Sequence, residues 1–263
     1  MSAFNSEKFL EQALKSLLSQ SFNDFELILV DDASTDRTAK IIKSYAQLDS
    51  RILPIYNQRN LGLTKNLNRA IDLSQGIYIA RMDADDIALA SRFEIQVNYL
   101  DTHRHVDILG SAAIDIDERG NELQLRKSPE LHEQIIGLLP KANPMTHSTV
   151  MFRKDRLAQI AYYNESYRTT QDYEMWFRAA GIGLRFHNLQ NVLLNYRMDN
   201  NYYKRKSFTY RLFDCKLRLQ GFKHINLPMY KYYYALIPLI LGLLPEGLYN
   251  SIKKIDPRVN EID

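Results

Sequence analysis

The sequence predicts an α/β fold: a mostly parallel, mixed sheet sandwiched by helices, with a helical C-terminal tail. Three observations carry this. Helical and strand periodicities alternate at short spacing over residues 1–90. Two of the apolar strands end in acidic clusters, Asp31-Asp32 and Asp83-Ala84-Asp85-Asp86. Beyond residue 200 the chain turns basic and then uncharged. Alternating helices and strands build a parallel sheet covered on both faces, and ligands bind such sheets beyond the carboxyl ends of the strands. Both acidic clusters fall there. The division follows as a catalytic domain over residues 1–200 and a helical tail over 201–263.

Residues 6–20 read as an amphipathic helix, with Phe9, Leu10, Ala13, Leu14, Leu17 and Leu18 on one stripe. Residues 25–30 form an apolar strand ending at Asp31-Asp32. Ser34, Thr35 and Asp36 are helix starters, and that helix runs to about Ala46. A short strand covers 52–56. A helix covers 64–74, closed by Gly76, and a strand covers 77–82. Phe93, Val97 and Leu100 mark a further helix. A strand follows at 106–113, a turn with Gly120 at 115–121, a strand at 148–152, a helix at 171–180 and a last strand at 192–196. Residues 202–221 form a basic helix. Residues 232–245 carry no charge, with tyrosines at 230, 232, 233 and 234. A bilayer span needs roughly 20 apolar residues, so this run is too short, and Pro238 and Gly242 interrupt it. It either lies in a membrane interface, where tyrosine and lysine are at home, or packs on the domain.

Composition excludes several classes. The 263 residues are 45% apolar and 25% charged, ordinary for a globular chain. The formal charge of +3 gives no global argument for nucleic acid. One cysteine, Cys215, cannot build a disulfide framework or a zinc site, and reads as a packing residue. The first twenty residues carry polar and acidic side chains throughout, unlike a signal peptide, which places the catalytic part in the cytoplasm.

The chemistry sits in five stretches. Three carboxylates within Asp83–Asp86 repel one another unless a cation compensates. At a strand end alternate side chains share a face, so Asp83 and Asp85 converge, and hard oxygen ligands suit Mg²⁺ or Mn²⁺. A carboxylate of Asp31-Asp32 can accept from a nucleobase N–H, or cap a helix with Ser34. Asp172, at the start of a helix, is kept ionised by the dipole and can act as general base; the plainer alternative is a cap. His147, in Asn143-Pro144-Met145-Thr146-His147-Ser148, is either a cleft residue or a satisfied core histidine. Arg197, with Lys204, Arg205 and Lys206 behind it, can reach a diphosphate or form a solvated basic face.

In order, these pieces resemble the family 2 glycosyltransferases of GT-A fold. The resemblance rests on Phe4–Leu10, Asp31–Asp36, Asn60–Leu63, Tyr78–Asp86, Asn143-Pro144 with His147, and Gln171–Trp176. It implies an inverting, metal-dependent transfer of a sugar from a nucleotide-sugar, a UDP-hexose or UDP-N-acetylhexosamine, to a glycan or lipid-linked acceptor. The setting it implies is bacterial capsule, lipopolysaccharide or exopolysaccharide synthesis, on or near the inner face of the plasma membrane. By resemblance, Asp172 is the base and Asp85 and Asp83 hold the Mg²⁺ or Mn²⁺, with Asp85 the direct ligand. Asn5, Glu7, Asp32, Lys65, Asp83, Ala84, His147 and Arg197 bind the nucleotide-sugar, Asp32 at the uracil.

Three departures stand out. The family begins with a hydrophobic strand leading into Phe4-Asn5, and here Met1 stands near the end of that strand, so the resemblance implies a strand missing from the sheet and impaired activity without it. Gln171 precedes the base where the family often has Glu. Ile160–Tyr163 stands where a glycine-rich turn is common. Two alternatives follow: a catalytically impaired binding or scaffold protein, and a nucleotidyltransferase, which would carry a glycine-rich basic loop that residues 1–20 lack.

Overall fold

The computed structural model describes residues 1–198, 208–243 and 259–260. Lys204, Arg205, Lys206 and the boundary expected at residue 200 lie outside the described residues. The first sheet is wholly parallel, in the order β1 (Ser2–Ala3), β2 (Leu27–Asp31), β3 (Ile52–Tyr56). Every residue of β2 is buried, as its unbroken apolar run requires of a strand covered on both faces. β3 is an edge strand, which is where Pro54 is tolerated.

Two helices join these strands, α1 (Leu10–Leu18) and α2 (Thr38–Leu48), and α3 (Leu63–Leu73) leads from β3 toward the second sheet. α1 buries Leu10, Ala13, Leu14 and Leu17, the spacing of one helical face. It starts later than the stripe implies because residues ahead of it are held by side chains. Ser6 N donates to Thr38 Oγ1 (2.8 Å) and Glu7 N to Asp36 Oδ2 (3.1 Å). The same bonds delay α2 to Thr38. Gly76 does not close α3; that helix ends at Leu73, and Gly76 N donates instead to Glu26 Oε1 (3.3 Å).

The second sheet is mixed. Its order is β10 (Val259–Asn260), β7 (Glu122–Arg126), β6 (Ile108–Ile116), β8 (Met151–Arg153), β4 (Tyr78–Ala80). β9 (Phe186–Arg197) runs parallel to β6 and pairs antiparallel with β5 (Ile87–Ala88); the other pairs in this sheet are antiparallel. Parallel strands thus dominate the first sheet alone. β7 and β5 carry no sequence signal of their own, one being charged and exposed, the other two residues long. The turn at Gly120 is a β6–β7 hairpin, with Gly120 at φ +89°. The strand expected from Ser148 starts at Met151, since His147–Thr149 forms a 3₁₀ turn.

α4 (Arg92–Thr102), α5 (His132–Leu138), α6 (Lys154–Ala158) and α7 (Gln171–Gly181) complete the domain. α8 (Phe208–His224) packs on α7, and Gly221 permits the approach: a Cβ there would meet the Phe177 ring at 2.4 Å. The uncharged run splits into a 3₁₀ segment (Met229–Leu236) and α9 (Ile237–Leu243), with Pro238 in the first turn, where its missing N–H is tolerated. Cys215 is buried in the core. No helix among the described residues is long and apolar enough to cross a membrane.

Candidate active site

Beyond β4 the chain leaves the sheet, and Asp83, Asp85 and Asp86 sit on a turn. One carboxylate oxygen from each lies within 4.8 Å of the others. Convergence therefore comes from the turn, not from the strand pleat, and it brings in Asp86, to which sequence reasoning gave no role. Asp86 is 1% exposed. Its Oδ1 accepts from Arg197 N (2.8 Å), while its buried Oδ2 has no hydrogen-bond partner. Burial, then the charges of Asp83 and Asp85, push its carboxyl up to about 8. An orphaned carboxylate oxygen beside two more carboxylates fits a hard divalent cation. The signal was present in the sequence as the third acid of the cluster.

Arg81 is the second residue missed. It is 6% exposed; it pairs with Asp83 Oδ1 and donates to Ser148 Oγ (2.8 Å), which in turn donates to Asp83 Oδ2 (3.0 Å). This triangle fixes the Asp83 carboxylate. Arg92, fully buried in α4, donates to Arg81 O (2.7 Å). Arg81 lies within electrostatic reach of Asp83, Asp86 and Asp172, so it links the acidic cluster to the expected base.

Asp172 stands in the first turn of α7, after Thr170 in the left-handed conformation (φ +56°). Its side chain is partly exposed, but the carboxyl sits deep enough for burial to raise its pKa. Asn143 Nδ2 donates to Asp172 Oδ2 (2.7 Å), and that bond, the backbone N–H of Tyr173 and the Arg81 charge oppose the rise. The helix N-terminus thus does less than expected to hold the group ionised. His147 faces the Tyr163 hydroxyl through Nε2 (2.7 Å) and stands edge-on to Trp176. Burial and the Arg81 charge hold its pKa well below the ordinary value, so it is neutral at pH 7.

The remaining expected ligands are placed differently. Asn5 Oδ1 accepts from Thr35 N (2.9 Å), and Glu7 Oε2 accepts from Arg37 N (2.9 Å) and Nε (3.1 Å). Both stitch the loop after β1 to the loop after β2. Asp32 is 2% exposed and accepts from Asn57 Nδ2 (2.8 Å), Leu61 N (2.8 Å) and Gly62 N (2.9 Å). Burial raises its pKa, but bonds from Leu61, Asn66, Asn57 and Gly62 outweigh that and lower it. It holds the turn into α3, where Lys65 is exposed. Ala84 is buried behind the acids.

Arg197 is the cation expected at a diphosphate. It is 4% exposed, at the end of β9. Its guanidinium donates to Asp85 O (2.9 Å), Asp117 O (2.8 Å) and Gln12 Oε1 (2.9 Å), and lies over the Phe9 ring. These acceptors tie it to the acidic turn, to the loop after β6 and to α1. A cavity of about 760 Å³ lies elsewhere, between β2 and β4; Arg81 and Tyr163 line it, but Asp83, Asp85 and Asp172 do not.

Comparison with known proteins bears on the family and the fold. The family model described as glycosyl transferase family 2 matches residues 1–174. The putative glycosyltransferase EpsE of Bacillus subtilis (strain 168) is 37% identical over 257 residues, 97% of this chain and 91% of the relative. The amylovoran biosynthesis glycosyltransferase AmsE of Erwinia amylovora is 32% identical over 265 residues, covering 97% and 98%. The crystal structure of S. aureus TarS 1–349 in complex with UDP-GlcNAc superposes with a TM-score of 0.70 at 18% identity, over 94% of this chain and 75% of that one. At that identity the likeness concerns the GT-A fold alone.

Proposed function

The chain belongs to glycosyl transferase family 2, and from that premise we propose that it transfers a sugar from a UDP-sugar to a glycan or lipid-linked acceptor with inversion, assisted by Mg²⁺ or Mn²⁺. The observation that carries the reading is the pairing of the Asp83–Asp85–Asp86 cluster with Asp172, electrostatically linked through Arg81. The enzyme is a glycosyltransferase, and the names of AmsE and of a related O-antigen biosynthesis glycosyltransferase support a place in polysaccharide synthesis.

In this mechanism Asp83, Asp85 and Asp86 would hold the divalent ion, with Arg81, Ser148 and Arg197 fixing their orientation. When bound, the ion supplies positive charge to the departing diphosphate. Asp172, with its pKa raised by burial, accepts the proton of the acceptor hydroxyl as that hydroxyl attacks the anomeric carbon. One displacement inverts the centre, and no covalent nucleophile is needed. Neutral His147 with Tyr163 lines the cleft as a hydrogen-bonding wall without competing for the proton. Asn5, Glu7 and Asp32 act on the donor by holding the loops that surround it, and Lys65 offers a charge at the rim.

The tail supports an acceptor presented at the cytoplasmic face of a membrane. Met229 (83% exposed), Tyr230 (75%) and Ile240 (57%) are exposed apolar and aromatic side chains of the tail, which also carries Lys223 and Lys231.

The test is a thermal-shift panel of UDP-sugars on the purified chain, with and without Mn²⁺. A donor at 100 times its Kd stabilises by about 2.7 kcal/mol, which raises Tm by roughly 5–10 °C. The reading requires one UDP-sugar to give a metal-dependent shift and a transfer product of opposite anomeric configuration by NMR. Absence of a shift with any nucleotide, or a retained anomeric configuration, refutes it.

A further inference from the structure

Asn143 stands on the loop between α5 and the 3₁₀ turn at His147–Thr149. Its amide is oriented from both ends. Oδ1 accepts from Met145 N (3.2 Å), which turns Nδ2 onto Asp172 Oδ2 (2.7 Å). Neither helix nor strand fixes residues 141–146, so the partners of the loop carbonyls show what does. Leu139 O accepts from the Tyr173 hydroxyl (2.6 Å). Pro140 O (3.2 Å) and Lys141 O (2.6 Å) both accept from Arg218 Nη1, on α8. Pro144 O accepts from Asn188 Nδ2 (3.2 Å). We propose that Arg218 is a positioning residue for the transfer, the side chain through which the tail helix holds Asn143 against Asp172. The proposal rests on Asp172 as the base.

Arg218 is 7% exposed. Its Nε donates to Asp214 Oδ2 (3.0 Å), one turn earlier on α8, so the buried charge is paired while Nη1 faces the loop. The guanidinium also lies 5.3 Å from the centre of the Tyr173 ring. Arg218 therefore grips the chain on both sides of the Asn143–Asp172 bond: at Lys141, two residues before Asn143, and at Tyr173, directly after Asp172. The tail touches the same loop a second time, where the Lys141 ammonium lies 5.4 Å from the centre of the Tyr234 ring. Packing alone does not call for this arrangement. Apolar side chains serve a buried contact as well as an ion pair does, often better, and α8 already packs on α7 through Gly221 and Phe222 against Phe177. What the guanidinium adds is direction. Its rigid fork meets Asp214 and two carbonyls at once, and a lysine ammonium has no such fixed geometry.

The test follows the Asp172 carboxyl by carbon-13 NMR in the full chain, its signal assigned by loss in Asp172→Asn. The parent, Arg218→Met, Asn143→Ala and the double variant are titrated. Among the described residues Arg81 and Tyr163 also act on Asp172, and both remain in every variant. Arg218→Met should shift the Asp172 equilibrium toward the protonated form by about threefold or more, in the same direction as Asn143→Ala. The double variant should match Asn143→Ala alone, because the two residues act in series. In transfer assays Arg218→Met should lower kcat/KM on the acid side and converge with the parent above the limb; a merely structural loss lowers it at every pH. An unmoved Asp172 midpoint in folded Arg218→Met, or a shift that adds to that of Asn143→Ala, overturns the proposal. If Arg218→Met does not fold, Arg218→Lys takes its place: a smaller shift in the same direction is expected, and an unmoved midpoint again overturns it. The NMR readout needs no catalysis. An unmoved midpoint beside normal transfer sinks the positioning role alone, and a moved midpoint with no transfer by the parent sinks the transferase reading alone.

Discussion

Asn143→Ala tests Asp172 as the base more sharply than removal of Asp172 itself. The Asn143 amide donates to Asp172 Oδ2 at 2.7 Å. A hydrogen bond to a charged group contributes about 1.5–3 kcal/mol, and here it favours the ionised carboxylate. Burial raises the Asp172 pKa and this bond is the first force opposing it. Its loss therefore raises the pKa further, and the lost bond energy corresponds to about a 10–100-fold change in the protonation equilibrium. The base works ionised, so the acid limb of kcat/KM moves to higher pH by the same amount. Well below the limb, transfer falls by about 10–100-fold; well above it, the variant and the parent converge. The assay is initial-rate transfer from pH 5 to 9, with Mn²⁺ affinity titrated at each pH so that protonation of the acidic cluster is counted separately. A folded variant whose limb stays put, or moves to lower pH, refutes the assignment. Linkage gives a second check. A carboxyl with a raised folded-state pKa stabilises the fold below its unfolded pKa, and that contribution is lost as pH rises through the folded value. Asp172→Asn cannot ionise, so at pH 8 its Tm should equal or exceed the parent's while transfer falls by about 10²–10⁴.

Four further outcomes are expected. Asp85→Asn should weaken Mn²⁺-dependent UDP binding at least tenfold by calorimetry; unchanged binding would remove Asp85 from the ion. Arg197→Lys keeps a charge but cannot serve the three acceptors at Asp85, Asp117 and Gln12, so Tm should fall by about 5 °C. A rise in donor KM at constant Tm would instead restore the diphosphate role. Asp32→Ala strands the N–H groups of Leu61 and Gly62, at about 1–3 kcal/mol each; urea melts should show the loss, and an unaltered midpoint would mean the loop holds without it. Replacing Met229, Tyr230 and Ile240 by serine should release the protein from phosphatidylglycerol vesicles in a sedimentation assay, and persistence on them would point to another surface.

Local pattern determined most of what lies along the chain. The apolar run at Leu27–Val30, the spacing of Leu10, Ala13, Leu14 and Leu17, and the acids after Tyr78–Ala80 each declare an element or a site without neighbours, because periodicity and charge are properties of adjacent residues. The family and the acidic cluster were legible for the same reason. Tertiary structure decided the roles. Whether a carboxylate binds a ligand or a loop depends on which donors reach it, and those of Asp32 come from Asn57, Leu61 and Gly62, far along the chain. The acceptors of Arg197 at Asp85, Asp117 and Gln12 gather around it only on folding, and Asp86 joined the cluster because the turn buried it with one oxygen unpaired. The short strands β5 and β7 exist through their partners alone. The cavity between β2 and β4 is a property of two sheets at once, since its walls come from both.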